Sequence, residues 1–160
     1  MMTGSTVLNV CEAVRSFLAP TVQKRLQGVE LVVAFPPILD STTPPKVYVE
    51  PGTQDLKRAA RDAFEEIMRV GVSLCGYVGT ASPSAYRDYL IAVEEMTRAL
   101  LFARFAVDGA DFRVFIATID GAPFGETTDG GLYNGEAVAC SYTFRSHIDV
   151  TLTRILKAEK

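Results

Sequence analysis

"GTQDLKRAARDAFEEIMRVGVSLCGYVG", residues 52–79, begins as a charged segment and ends as an apolar ribbon. From Met68 onward the residues alternate, with Met68, Val70, Val72 and Leu74 on one side and Arg69, Gly71 and Ser73 on the other. A period of two over that length predicts a half-buried strand, running from about Glu65 to Val78. The first half is ambiguous. Leu56, Ala59, Ala60, Ala63 and Phe64 are spaced for a short helix, yet no breaker separates such a helix from the strand that follows. Residues 52–64 are therefore expected to form a long connecting arm.

Working outward, "KVYVEPG" (46–52) reads as a strand stopped by Pro51 and Gly52. "VELVVAF" (29–35) reads as another from its β-branched content, and the proline-rich "PPILDSTTPP" (36–45) is the loop between them. Upstream, Val7, Leu8, Val10, Cys11, Val14, Phe17 and Leu18 make one helical stripe that Ser5 or Thr6 can cap. Pro20 should limit that helix, with "TVQKRLQG" (21–28) as a short continuation closed by Gly28.

Downstream, "SPSAYRDYLIAVEEMTRALLFARF" (82–105) has Ser82 as N-cap and Pro83 at the first helical position. Its stripe is Tyr86, Tyr89, Leu90, Val93, Met96, Ala99, Leu100 and Ala103, against a wet face of Glu94, Glu95 and Arg98. "FRVFIATI" (112–119) is a strand, and the glycine-rich loop of residues 120–135 follows it. A last strand runs from Glu136 to about Val150, with Val138, Cys140, Tyr142, Phe144 and Ile148 inward, before a tail over residues 151–160. The order α-β-β-β-α-β-β predicts one α+β domain over residues 1–160: a mostly antiparallel sheet packed on two helices, with long inter-strand loops.

Bulk composition agrees with one soluble domain. The chain has 160 residues, 48% apolar and 22% charged, with a net charge of −3. A chain of this size buries roughly 70% of its unfolded surface, and the mild acidity argues against a nucleic-acid binder. No apolar run is long enough to span a bilayer. The N-terminal segment carries Glu12 and Arg15 within its apolar part, which predicts an amphipathic helix and not a signal peptide.

The residue types offer little chemistry. Cys11, Cys75 and Cys140 are far apart, each within an apolar pattern, and read as buried thiols in a reducing compartment. His147 is the only histidine and reads as a surface residue, without partners at metal-ligand spacing. "GETTDGGLYNG" (125–135) lacks the Gly-Lys-Ser/Thr ending of a phosphate loop. Glu94 and Glu95 point apart on a helix and read as a solvated face. Asp40, Asp120 and Asp129 read as turn and capping residues. The expectation is a protein that is not an enzyme, with no cofactor and no metal site.

Two long loops then carry the functional question, since loops of this length in a small domain commonly bind partners. The first offers Asp55, Leu56, Lys57, Arg58, Arg61, Asp62 and Phe64; a solvated turn and an interface both fit that charge pattern. The second offers Phe124, Leu132 and Tyr133, which either fold back onto the core or face a partner.

An amphipathic first helix, "VYVEPG", a long arm, "EEIMRVGVSLCGYV", the pattern "Y..YL.AVEEMTRALL" and the closing "GLYNGEAVACSYTFRSHI" together resemble the tail terminator proteins of tailed bacteriophages. The resemblance covers nearly the whole chain as an order of elements. It implies a structural virion subunit with a sheet packed on two helices and no catalytic residues. It further implies a homo-oligomeric ring, a hexamer, at the head-proximal neck, assembled in the host cytoplasm. Such a ring caps the tail tube protein, ends tube polymerisation and joins the tail to the head connector, with DNA only passing through its pore and no membrane involved. Under that reading the arm reaches a neighbouring subunit or ring, and residues 53–63 are expected to be mobile until they do so. Two rivals remain: a small-molecule-binding or catalytic α+β domain with loop 120–135 as its lid, and a ring component of a contractile injection machine.

Overall fold

The computed structural model describes residues 5–39, 43–80, 83–107, 114–120 and 141–157. Helix α1 spans Thr6–Arg25. Ser5 caps it, its hydroxyl accepting from the Leu8 amide at 3.3 Å, and Lys24 and Arg25 sit in the last turn, where positive charge suits the helix dipole. Pro20 does not end the helix as its ring geometry suggests. It lies inside it, between buried Leu18 and Val22, and that packing outweighs the roughly 3 kcal/mol an interior proline costs. The chain then reverses at Gly28, whose φ of 83° favours glycine.

Among the described residues seven strands follow around the second helix: β1 Glu30–Val33, β2 Lys46–Ala60, β3 Ala63–Thr80, α2 Pro83–Leu100, β4 Arg104–Phe105, β5 Phe115–Asp120, β6 Ser141–Arg145 and β7 Ile148–Lys157. They form one sheet in the order β1-β2-β3-β7-β5-β4, with β6 also on β3. Among the described residues only the β1–β2 pair is parallel. The fold is α+β, a mostly antiparallel sheet with two helices, as the element order predicts.

Four details differ from the sequence reading. β2 does not stop at Pro51 and Gly52 but continues to Ala60, and β3 begins at Ala63, so residues 52–64 are a paired ribbon and not a loop. Residues 151–157 are not a tail, because they complete β7 along β3 as far as Lys157 opposite Ala63. As far as Tyr77, β6 and β7 keep one register on β3 (Cys75 opposite Arg145, Val72 opposite Ile148) and part only at Ser146–His147; the register shifts between Tyr77 and Gly79. There Ser146 stands in for the ladder: its hydroxyl accepts from the Leu74 amide at 3.2 Å and donates to the Leu74 carbonyl at 3.0 Å. Finally, α2 ends at Leu100. The chain turns at Phe102, φ 59°, whose amide donates to the Ala117 carbonyl at 2.9 Å, so that β4 can pair with β5.

One core lies between the helices and a single face of the sheet. α1 gives it Val10, Cys11, Val14, Leu18 and Val22, and α2 gives Ala92, Val93, Met96 and Leu100. The sheet answers with Val47, Val49, Met68, Val70, Val72, Leu74, Phe115, Phe144, Val150 and Leu152. Phe17, at the rim, meets Phe105 edge-on at 5.2 Å between ring centres, a favoured aromatic geometry. No described helix is long and apolar enough to cross a membrane.

Met96 is fully buried in this core. Met96→Ala should therefore lower stability by about 2–5 kcal/mol, seen as a lower urea midpoint at unchanged slope. A loss below about 0.5 kcal/mol would mean that this stripe does not face the core.

Candidate assembly surface

The ribbon owes its length to a bulge. Between Pro51–Val70 and Gln54–Met68 the register shifts, so β2 carries one extra residue there. A Cβ at Gly52 would lie 2.1 Å from the Arg69 carbonyl oxygen, so only glycine lets the two strands approach. The bulge also exchanges which residues face the core. Before it, Val47, Val49 and Pro51 share the face of Val70, Val72 and Leu74; after it, Gln54, Leu56 and Arg58 do, opposite Met68, Glu66 and Phe64. A second shift, between Arg58 and Ala60, tightens the turn at Arg61–Asp62.

Where the sheet leaves the helices, its core face becomes polar in one place. Glu66 and Arg154, opposite each other on β3 and β7, are 4% and 5% exposed, and Arg154 Nε donates to Glu66 Oε1 at 2.7 Å. Gln54 Nε2 donates to the other carboxylate oxygen at 3.0 Å, and the Arg154 guanidinium lies 4.2 Å from the centre of the Phe115 ring. Desolvating two charges offsets most of their attraction, so the pair contributes orientation more than stability. It holds the root of the ribbon in one register against the body.

Beyond this pair the same face is open. Leu56 is 61% exposed and Phe64 39%, with the Arg58 guanidinium 5.4 Å from the Phe64 ring centre. The other face carries Lys57 opposite Glu65, exposed Ile155, and Asp55 bonded to Arg69 at 3.4 Å. Among the described residues, β1 covers β2 only as far as Val49, and β5 covers β7 only as far as Thr153. Both edges of the outer ribbon therefore lack a neighbouring described strand. Such edges are templates for pairing, and the charges along β2 restrain indiscriminate use of them.

Seven of the ten residues singled out from sequence thus lie together on this ribbon: Asp55, Leu56, Lys57 and Arg58 on β2, Arg61 and Asp62 in the turn, and Phe64 on β3. Phe124, Leu132 and Tyr133 lie outside the described residues. Sequence reasoning missed Glu66 and Arg154. Their signal was available, because each occupies an inward position of an alternating strand, with opposite charge.

The sheet face away from the helices holds a second polar group that was also missed. His147 is not an isolated surface residue: Ser73 Oγ lies 2.8 Å from its Nδ1, and Asp149 Oδ1 lies 2.8 Å from its Nε2. Glu50 approaches the same Nδ1 at 4.0 Å, and the Ser73 hydroxyl is 3.5 Å from Glu50 Oε1. Gly71 makes the space, since a Cβ there would lie 2.7 Å from both Glu50 Oε2 and His147 Cε1. Glu50 and His147 form the wall between two open clefts of about 410 and 390 Å3. Serine, histidine and aspartate are the residue types of a hydrolase relay. The electrostatics oppose that use, because an oxyanion forming at Ser73 would face the Glu50 carboxylate, whereas catalysis needs donors there.

Burial pushes the Cys11 and Cys75 thiols up to about 11, and Cys140 lies outside the described residues. No family model matches the chain, and no curated protein is significantly similar to it.

Two outcomes follow from this geometry. Arg154→Ala strands the Glu66 carboxylate and should cost about 3–5 kcal/mol, while Glu66→Leu combined with Arg154→Met should be neutral or stabilising by about 1–4 kcal/mol; urea denaturation of all three proteins reads both. Raised thiol values mean that thiolate is scarce in the native state at pH 8 and becomes accessible on unfolding, so reactivity should rise with denaturation. In a Cys140→Ser background, Ellman's reagent should leave Cys11 and Cys75 unmodified until denaturant is added. Rapid native labelling would contradict their burial.

Proposed function

We propose that the chain is a structural ring subunit of the tail terminator type, one that caps the head-proximal end of a phage tail tube and joins it to the head connector. The observation that carries this reading is the ribbon. It projects core-face residues Leu56 and Phe64 into solvent, is anchored by a desolvated ion pair, and ends in a charged turn. A ring gives such an arm a use: contact with the next subunit around a rotation axis. Contacts of that kind are heterologous, one patch meeting a different patch, and close when the rotation closes.

The fold supports the same reading, with both helices on one face of a mostly antiparallel sheet. Under it the protein is not an enzyme and binds no cofactor, and DNA passes through its pore without being gripped. Mixed charge at the tip (Lys57, Arg58 and Arg61 against Asp55, Asp62 and Glu65) sets register more than affinity. A ring in a contractile injection machine would use the same arm. The small-molecule reading has one observation of its own, the two clefts beside Glu50 and His147.

Deleting the gene from the genome that carries it tests the reading directly. Electron micrographs should show overlong tubes unattached to heads, and supplying the wild-type chain in trans should restore joined particles with tails of uniform length. Normal particles in its absence would end the proposal. Supplied instead, the triple variant Lys57→Glu, Arg58→Glu, Arg61→Glu should fold normally, since exposed changes shift stability by only about 0.5 kcal/mol each, and should fail to restore joining.

A further inference from the structure

Resting on the ring reading, we infer that the receiving site for the arm is the larger outer-face cleft of a second copy of this chain. In it the Glu50 and Asp149 carboxylates bind the guanidinium of Arg61 from the arm tip. Each surface offers one half of an ion pair. The tip carries Lys57, Arg58 and Arg61 among Asp55, Asp62 and Glu65; Asp55 is held by Arg69, and among the described residues Arg61 makes no ion pair. The cleft, about 410 Å3 and open, carries Glu50, Asp149 and His147 along one wall. Its own cation, Arg69, is engaged by Asp55 at 3.4 Å and Thr53 at 3.5 Å, and the Asp149 carboxylate, bonded to His147 through one oxygen, is 68% exposed.

The cleft is a structural feature and not a chance gathering of acids. The bulge at Gly52 opens one side of it, Gly71 hollows its floor, and the bonds from Ser73 and Asp149 fix the His147 ring between the carboxylates. Two carboxylates held apart in this way suit a planar guanidinium, which can donate to both.

A chain cannot fill its own cleft. The turn lies six residues along β3 from Arg69, about 20 Å at strand rise, and the intervening ribbon is paired on β3 throughout. The tip must therefore enter a different copy. Because tip and cleft are different patches, each copy gives one and receives one, the head-to-tail arrangement that a ring requires.

That arrangement has a distinctive test. A tip variant (Lys57→Glu, Arg58→Glu, Arg61→Glu) and a cleft variant (Asp149→Lys) are purified and compared with wild type by sedimentation velocity, after circular dichroism confirms folding. Glu50→Gln is a milder cleft variant, in case Asp149→Lys disturbs the His147 network. Wild type should form large assemblies, and each variant alone should self-associate at least about 30-fold more weakly. Mixed in equal amounts, the two variants should form a one-to-one dimer and nothing larger, since one intact tip and one intact cleft remain. Variants that assemble like wild type, or a mixture that stays monomeric, would overturn the tip-to-cleft contact while leaving the ring reading to the gene-deletion experiment. A wild-type chain that stays monomeric at millimolar concentration would likewise overturn the contact, and the deletion phenotype would judge capping separately.

Discussion

Backbone pairing along both edges of β3 is the constraint on which this molecule is built. One edge carries β2 from Lys46 to Ala60, and the other carries β7 and then β6, in one register from Ala63 as far as Tyr77. A strand satisfied on both sides for that length stays straight enough to run out of the globular body. The inner half is covered by two helices and supplies the core. The outer half has the same ladder and, among the described residues, no helix above it, so its exposure reflects the end of the cover and not any change in the sheet.

The change of environment along one strand explains why a charged pair sits where it does. Met68 still faces the helices, Glu66 lies at their edge, and Phe64 is already half in solvent. An apolar pair at position 66 and position 154 would pack well and also tolerate a slip of the ribbon. Glu66, held by Arg154 and Gln54 together, tolerates none, because a shift of one residue would bury an unpaired charge. The outer face shows the same economy: Ser73, Asp149 and His147 form a bonded set where β6 and β7 part.

Much of this was legible in the sequence where periodicity was unbroken. The alternation of Met68, Val70, Val72 and Leu74 identified β3, and the stripe through Val93, Met96 and Leu100 identified the buried face of α2. Legibility failed where a local rule met a tertiary one. Pro51 and Gly52 look like an end of strand, but they lead into a bulge, and past it the inward residues move from odd to even numbers, which erases the period across β2. Leu101, Phe102 and Ala103 contain no breaker, so the turn that ends α2 was invisible; it is imposed by the bond from the Phe102 amide to β5. His147 looked solitary because its partners come from β2 and β3, far away in the chain, as well as from Asp149 beside it.

The bulge at Gly52 also sets the evolutionary latitude of the arm. Strand faces are counted in twos, so the ribbon can grow or shrink by matched pairs of residues on either side of its turn without changing which side chains face outward. Removing a single residue at the bulge would leave Gln54 opposite Met68 and Leu56 opposite Glu66, because residues paired across an antiparallel ladder share a face. What it would take away is the local bend and added twist that a bulge gives its strand. Reach and aim of the arm are thus inherited separately: its length by changes near Arg61, its direction by the count of residues between Pro51 and Gln54.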